Sequence, residues 1–586
     1  MLHLIHIHPG VLATVFRITF LPMILFVLAQ GVSVAETASV GSLTSEEMSG
    51  LGERMYRQGI LPSGEPMQAM VSADVPVNGE MFTCVNCHQR SGLGSVEGSV
   101  ITWPINGKEL YIPRRQTGAW HAAKQKQGPG ATQRWSLPSQ YQATDNRPAY
   151  TDETLAQLLR EGIAPDGRAL NRAMPRYQIN DSDMSVLSHY LKNLSIENDP
   201  GADKTRIRFA TVVTEGVPAE DKEAMLAVLK AHIATNNTQT RPHQRRARSG
   251  PFYKTEKFGA YRLFELDVWE LNGPRDTWPA QLESYYQAGP VFAMLGGIAD
   301  GSWAPIHHFC EEHEIPCIFP VTDQPVVSDT DWYTLYFSRG LYQEGQTAAR
   351  YLRSTLDTSE NTKVVQLYRT GSGGALLAKG FRENLGELAD ITITEKKLDV
   401  DEPVTVKLLQ EIFATQQPAA VQLWLDSTDM AVATNWLLKQ TQQPEAIFVS
   451  WKLLDGETSI IPDNLRNNVY LTYPRDHPDD NTLKTQVLKH WLKIRKIPLT
   501  NLDIQSQMYF LGWMLPGAIS NMRSEFFRDY FMESFDMMHD QDYTIAVFPR
   551  LTFGSGQRYA AKGCYIVQLG EGEQPELVKK SEWIIH

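Results

Sequence analysis

The stretch VFAMLGGIADGSWAPIHHFCEEHEIPCIFPVTDQP, residues 291–325, decides the fold of the larger part of the chain. It begins with an apolar run, Val291–Leu295, whose length and composition are typical of a buried strand. A helical stretch follows at Trp303–His313, and a second strand at Cys317–Val321. A helix between two buried strands indicates a parallel sheet with both faces covered.

The same alternation of strand and helix continues on both sides of this stretch. Further strands are predicted at Ile207–Val213, Leu263–Glu270, Lys363–Tyr368, Ile391–Thr394, Ala420–Leu425, Ile447–Val449 and Val469–Thr472. Further helices are predicted at Ala219–Ala234, Tyr342–Leu356, Ala375–Leu388, Val404–Thr415 and Met430–Lys439. Residues 206–586 exceed the size of one core, so we expect two α/β lobes with parallel sheets.

Residues 291–325 also resemble a type I periplasmic binding protein of the branched-chain amino-acid receptor kind. The segments YFSRGLYQEGQTAARYLRS (336–354), KVVQLYRTGSGGALLAKGFRENL (363–385) and FPRLTFGSGQRYAAKGCYIVQL (548–569) carry the same resemblance. It implies two lobes that close on a small ligand, which lies at the carboxyl ends of the strands. The basic stretch His243–Arg248 is interpreted as an insertion in this pattern.

Residues at the predicted strand ends are the candidates for contact with that ligand. They are Gly297, Ser302, Thr322, Asp323, Tyr368, Thr370, Asp426 and Trp451. Backbone N–H groups at the start of a helix bind anions well. Turn geometry and helix capping account for the same residue types, so both interpretations stay open.

A second motif, Cys84-Val85-Asn86-Cys87-His88, lies near the start of the chain. In c-type haem attachment the two thiols bind the haem vinyl groups, and the adjacent histidine becomes an axial iron ligand. A thioredoxin-type site does not need this histidine. A zinc site would need a second Cys/His pair at suitable spacing, and none follows. The motif therefore predicts one covalent haem c at Cys84 and Cys87, with His88 on the iron.

The second axial ligand decides between electron transfer and catalysis, because an open iron position allows peroxide chemistry. Met174 is the best candidate, since it lies in a loop before Pro175. Its rivals are Met67, Met70, Met81, Met184 and His121.

Residues 43–194 resemble a monohaem class I cytochrome c. The resemblance is carried by GERMYRQGILPSG (52–64), FTCVNCHQRSGLG (82–94), YTDETLAQLLREGIAPDGRAL (150–170) and AMPRYQINDSDMSVLSHYLKNL (173–194). It implies an all-α domain in which His88 and Met174 form the axial pair. Residues 195–205 are polar and are interpreted as a linker to the α/β part. A basic strip from Tyr111 to Thr144 is either a solvated loop or a site for haem propionates or a redox partner.

The first 35 residues have the form of a secretory signal peptide, with Arg17 before an apolar run and small residues near Ala35. The run is short for a membrane span, so we expect a periplasmic protein without stable membrane insertion. The net charge of −12 makes nucleic acid an improbable partner. Cys310 and Cys317 are interpreted as a disulfide or as two buried thiols.

These features predict an exported c-type cytochrome joined to a receptor-like domain that binds a small metabolite or docks a partner. The redox partner would be a periplasmic dehydrogenase or oxidase. An alternative is a solute receptor of an importer or sensor with an accessory haem domain. A haem peroxidase is a weaker alternative, and the sequence favours a carrier and binding protein over an enzyme, since the common hydrolase, nucleotide and metalloprotease motifs are absent from it.

Overall fold

The structure is a computed structural model of the chain. It describes residues 43–72, 75–97, 100–113, 147–248, 261–355, 362–386, 391–538, 545, 547–572 and 575–586. The predicted signal peptide, residues 1–35, and most of the basic strip lie outside the described residues. Among the described helices, none is both long and apolar enough to cross a membrane.

The N-terminal domain consists of five helices and five short strands within the described residues. The helices are α1 (Ser45–Gln58), α2 (Val85–His88), α3 (Gly107–Leu110), α4 (Asp152–Glu161) and α5 (Asp181–Asn193). The strands are β1 (Gln68–Val71), β2 (Val75–Asn78), β3 (Val96–Glu97), β4 (Val100–Ile101) and β5 (Arg176–Tyr177). Strands β2, β1 and β5 form an antiparallel sheet. The prediction of an all-α domain was wrong in this respect, because these strands are too short to show a period in the sequence.

Helices α1 and α5 cross at a glycine. A Cβ atom on Gly52 would lie 2.4 Å from the Cβ atom of Tyr190 and 2.9 Å from the carbonyl oxygen of Val186. The rings of Tyr56 and Tyr190 also contact each other, with centroids 5.5 Å apart. The two helices approach closely because Gly52 has no side chain. The same helices bury Met55, Leu187 and neighbouring side chains in one core.

The first α/β lobe contains a five-stranded parallel sheet in the order β10-β9-β8-β6-β7. The strands are β6 (Arg206–Thr214), β7 (Leu263–Leu271), β8 (Ala293–Leu295), β9 (Cys317–Ile318) and β10 (Thr334–Leu335). Its helices are α6 (Ala219–Arg248), α7 (Trp278–Ala288), α8 (Ala304–Glu312), α13 (Thr482–Ile494), α14 (Leu502–Met522) and α15 (Arg528–Asp536). The basic stretch predicted as an insertion forms the end of α6.

The second lobe contains strands β11 to β18. They are β11 (Thr362–Arg369), β12 (Ile391–Leu398), β13 (Ala420–Trp424), β14 (Ala446–Ser450), β15 (Val469–Tyr473), β16 (Gly563–Leu569), β17 (Leu577–Lys579) and β18 (Ile584–Ile585). The helices are α9 (Gly340–Thr355), α10 (Gly373–Leu385), α11 (Val406–Gln416) and α12 (Ser427–Leu437). The order is β12-β11-β13-β14-β15-β16-β17, and β18 pairs with β16. Strands β11 to β15 are parallel, whereas β16 to β18 are antiparallel to their partners. The predicted two-lobed α/β fold with parallel sheets is confirmed, with this antiparallel edge added.

Helix α15 connects the first lobe to the N-terminal domain. Asp529 on this helix forms ion pairs with Arg57 at 2.9 Å and Arg90 at 3.2 Å. It also accepts a hydrogen bond from the hydroxyl of Tyr333 in the first lobe. In the linker, the Asp199 carboxylate accepts a hydrogen bond from the backbone N–H of Arg528. The N-terminal domain, which carries the CVNCH motif, and the first lobe therefore share a polar interface at α15.

Candidate functional site

The CVNCH motif forms a single helical turn. Cys84 lies at the start of α2, and the backbone N–H of His88 donates a hydrogen bond to the Cys84 carbonyl at 2.9 Å. Gln89 ends the turn with a left-handed backbone, at φ 63°. Because Cys84 and Cys87 are three residues apart in this turn, both thiols lie on one side of it. This is the arrangement that two thioether bonds to one haem require.

The His88 ring is oriented by the backbone. Its Nδ1 atom lies 2.9 Å from the carbonyl oxygen of Trp103, which fixes Nδ1 as the protonated nitrogen. The Nε2 atom is then the nitrogen that can bind a metal. Burial lowers the pKa of His88 to about 4, so the ring is neutral near neutral pH. A neutral imidazole with an oriented Nδ1 is the form that ligates iron.

Met174 lies in the loop before β5, and its side chain reaches the core of the N-terminal domain. Its partly buried side chain packs against the same core cluster as Cys84 and Val85. The guanidinium of Arg176 donates a hydrogen bond to the carbonyl of Met174, which holds the loop. Among the rivals, Met67 and Met184 are buried in the core, and Met81 is 70% exposed. Met70 is half-buried in β1, and His121 lies outside the described residues.

Three observations bear on whether these residues fit a haem. The Thr83 hydroxyl beside the motif is buried and has no hydrogen-bond partner among the described residues, so a bound group could supply one. Burial raises the pKa of the Cys84 thiol to about 12, which keeps it protonated in the free protein. Within the described ranges no group of three or more His, Cys, Asp or Glu side chains could hold a metal ion. A haem iron takes four of its ligands from the porphyrin, so His88 and one further ligand suffice, and the residues fit the group.

The predicted ligand residues of the first lobe mostly have local partners. Gly297 adopts φ 97°, and a Cβ atom there would lie 2.6 Å from the Trp303 ring. The Ser302 hydroxyl accepts a hydrogen bond from the backbone N–H of Ala304, just before α8. The Thr322 hydroxyl accepts one from the backbone N–H of Gln324. Turn geometry accounts for these contacts.

Most of the predicted residues of the second lobe are also used within that lobe. The Tyr368 hydroxyl donates a hydrogen bond to Glu395 on the neighbouring strand at 3.1 Å. The Thr370 hydroxyl donates to the Leu398 carbonyl at 3.1 Å. Asp426 accepts a hydrogen bond from a backbone N–H in the first turn of α12 and so caps that helix. Each of these side chains therefore forms a hydrogen bond within its own lobe that does not involve a ligand.

Asp323 and Trp451 are brought to the boundary between the lobes. Asp323 follows β9 in the first lobe and forms an ion pair with Lys452 of the second lobe at 3.2 Å. Trp451, the residue before Lys452, packs edge-on against Tyr473 with ring centroids 5.1 Å apart. Lys452 also lies 3.9 Å from Asp503 at the start of α14. The two lobes are thus joined by the ion pair of Asp323 and Lys452, which lies next to the aromatic pair of Trp451 and Tyr473.

Sequence reasoning missed most of this charged cluster. Arg475, on the segment that returns from β15 to the first lobe, is also paired with Asp503. A cavity of about 370 Å³ is lined by Tyr473, Arg475 and Asp503 together with residues at the start of α13. Lys452 and Arg475 each lie two residues beyond the ends of β14 and β15, and this position near the strand ends is the signal in the sequence that could have found them.

The buried side chain of Glu344 is hydrogen-bonded to the ends of β14 and β15. Glu344 on α9 is 1% exposed and accepts hydrogen bonds from the hydroxyls of Ser450, at 2.7 Å, and Thr472, at 2.5 Å. Burial raises its pKa to about 7. The carboxyl ends of β14 and β15 are therefore anchored to α9 through one side chain.

Comparison with known proteins gives no sequence family. No protein-family model matches the chain, and a search of the curated proteins finds no match. Solved structures of similar fold include a fatty acid ABC transporter substrate-binding protein from Thermomonospora curvata, 14% identical with a TM-score of 0.45, over 67% of this chain and 95% of that one. A leucine-binding protein from Thermotoga maritima is 12% identical with a TM-score of 0.44, over 65% of this chain and 99% of that one. A branched-chain amino acid ABC transporter structure from Thermus thermophilus with bound valine is 11% identical with a TM-score of 0.44, over 65% and 97%. The assignment of the two lobes rests on the sheets described above.

Two of the remaining cysteines are close neighbours. Cys310 and Cys317 are fully buried and remain free thiols in the structure. The Cys310 thiol lies 3.5 Å from the sulfur of Met294. Both act as small apolar residues in the core between β8, β9 and α8.

Proposed function

We propose that this chain is a periplasmic c-type cytochrome fused to a small-molecule receptor. The observation that supports the haem most directly is the His88 ring, oriented through Nδ1 by the Trp103 carbonyl at 2.9 Å on the same turn as both cysteines. Cys84 and Cys87 would hold the haem covalently, and His88 and Met174 would be the axial ligands. A bound haem supplies a one-electron iron centre. Held by His88 and Met174, this group would suit electron exchange with a dehydrogenase or oxidase.

The haem is tested in protein exported from a host that matures c-type cytochromes. We expect one haem per chain in the visible spectrum of the reduced protein. Cys87→Ser should weaken or abolish attachment, because one thioether bond is lost. Asn86→Ala is the matched control, since this exposed residue lies between the two cysteines. A colourless protein, or equal haem content in Cys87→Ser and the parent, would contradict the proposal.

The two lobes form the receptor part of the proposal. The ion pair between Asp323 and Lys452 lies where a ligand between the lobes would contact both of them. Lys452→Met should therefore change the affinity for any small molecule that stabilises the parent protein in a thermal-shift screen. Lys379→Met, on an exposed face of α10, is the control. Equal affinities in both variants would exclude the Asp323–Lys452 boundary as the site.

A second candidate function is a solute receptor of an importer or sensor in which the haem domain is accessory. The two-lobed fold favours this candidate, because its two sheets and the Asp323–Lys452 boundary form without any residue of the CVNCH motif. The two functions differ in whether ligand binding changes the rate of electron transfer to the haem. If the ligand gates the electron path, the rate of haem reduction by a partner changes when ligand is added. An unchanged rate favours the receptor with an accessory haem.

A further inference from the structure

Helix α13 has a buried and an exposed apolar side. Leu488 and Leu492 are each 1% exposed and belong to the core of the first lobe. Leu483, Val487 and Ile494 are 76%, 58% and 63% exposed. Their spacing of four and seven residues places them in one line along the outer side of the helix. The side chains of Leu483, Val487 and Ile494 are thus exposed to solvent along one line of the helix.

The same segment is strongly basic within an acidic chain. Residues 482–502 contain five Lys or Arg and no Asp or Glu, although the whole chain carries −12. Lys489 and Lys493 are exposed on the same helix. Lys484 pairs with the buried Asp476 at 2.5 Å, and Arg495 covers the Trp491 ring at 4.0 Å.

The acids nearest in sequence lie at one end of this helix. Asp479 and Asp480 precede it, and Asp480 pairs with Lys579 at 2.5 Å. The exposed positive charge along the helix is therefore carried by Lys493 and by Lys489, which also lines the cavity beside Arg475 and Asp503.

We propose that this surface, defined by Leu483, Val487, Lys489, Lys493 and Ile494, binds an anionic phospholipid membrane. Aliphatic side chains on one side of a helix with lysines beside them are the composition of helices that lie in the membrane interface. Here the aliphatic line would enter the headgroup region, and the ammonium groups would contact lipid phosphates. The surface is one side of a single helix, with its aliphatic residues in a line and without an acidic residue among them. This shape suits the plane of a membrane.

The test uses the full exported protein and co-sedimentation with vesicles of 30% phosphatidylglycerol in phosphatidylcholine. We expect binding that falls as salt rises, because screening weakens surface charge interactions. Lys489→Glu with Lys493→Glu should weaken binding by at least about 25-fold, since each basic residue near an anionic surface contributes about fivefold. Leu483→Ser with Val487→Ser should weaken it by about tenfold through lost apolar burial. Circular dichroism melting confirms that each variant is folded.

The matched control changes the same chemistry elsewhere. Val406→Ser with Lys407→Glu alters an exposed valine and an exposed lysine on α11, and its binding should equal that of the parent. Absence of binding, equal binding to pure phosphatidylcholine, or equal effects of the control and the α13 variants would overturn the proposal. A chain that dimerises through α13, with dimers lost in Leu483→Ser and no vesicle binding, would assign the surface to a second copy instead.

Discussion

The side chain of Glu533 holds Ser91 by two hydrogen bonds. The backbone N–H of Ser91 lies 2.8 Å from one carboxylate oxygen, and its hydroxyl lies 2.6 Å from the other. Glu533 is 2% exposed and Ser91 is fully buried. Ser91 follows His88 by three residues, whereas Glu533 lies on α15 of the first lobe. The segment that carries the CVNCH motif is thus fastened to the first lobe by a buried contact.

Removing this contact should loosen the docking of the two domains. Glu533→Ala leaves the buried N–H and O–H donors of Ser91 without the Glu533 acceptor, so we expect a loss of about 2–3 kcal/mol in the free energy of unfolding. Glu533→Gln retains an acceptor and should cost less. Urea denaturation measures both, and limited proteolysis of residues 195–205 reports docking. An alanine variant as stable as the parent would show that the contact contributes nothing.

The same residue should make stability depend on pH. Burial, reinforced by the Asp529 carboxylate, raises the pKa of Glu533 to about 8. An unfolded glutamate has a pKa near 4.3, so the native state binds more protons between about pH 4.3 and 8. The free energy of unfolding therefore falls as pH rises through this window, by up to about 1.4 kcal/mol per pH unit for one proton.

The Glu533→Gln variant isolates this contribution. Glu344, whose pKa is raised to about 7, acts in the same direction and is present in both proteins. The difference between the slopes of parent and variant belongs to Glu533. Denaturation curves at several values from pH 5 to pH 8 measure it, and parallel slopes would contradict the prediction.

The crossing of α1 and α5 predicts a strong difference between two glycines of one helix. Gly52→Ala places a Cβ atom 2.4 Å from Tyr190, so the helices must separate, at a cost of about 1–3 kcal/mol. Gly50→Ala meets no atom of the described residues within 4 Å and should stabilise the helix by up to about 1 kcal/mol. Thermal denaturation of the two variants should shift in opposite directions. Equal shifts would mean that the crossing is not as close as described.

Met174 can be tested as an iron ligand through the reduction potential. Methionine ligation raises the potential of a haem, so Met174→Ala should lower it and open the iron to added ligands such as cyanide. Met81→Ala, an exposed methionine beside the motif, is the control and should leave the potential unchanged. In an electron carrier with Met174 on the iron, this substitution lowers the reduction potential. A haem enzyme whose iron already has an open position would hardly respond.

Long periodic elements were predictable from the sequence, and short ones were not. The strands from Ile207 and Lys363 are apolar and β-branched, and the structure has strands at both. Strands β5 and β10 have two residues each and were not predicted, because each forms only against a partner strand from another segment of the chain. Helices α13 to α15 were not predicted, although α13 and α14 are long. Their order after β15 breaks the simple alternation on which the prediction was based.

The functional residues differ in the same way, because some lie in one short segment and others come together only in the fold. The CVNCH motif is visible in the sequence because its chemistry is contained in five consecutive residues, and the haem that it indicates stays a prediction. The boundary between the lobes could not, because Asp323, Lys452 and Asp503 meet only when three separate segments fold together. The contact of Ser91 with Glu533 spans 442 residues, and neither side chain carries a motif.

The central claim is tested most directly by mass spectrometry of the mature protein, exported from a host able to attach c-type haem and measured native and then denatured. The account predicts a mass increase of one haem that survives denaturation in the parent and is lost when Cys84 and Cys87 are both replaced by Ser. A small additional mass seen only in the native spectrum would identify a ligand of the receptor part. A parent chain whose denatured mass equals that of the polypeptide alone would contradict the account.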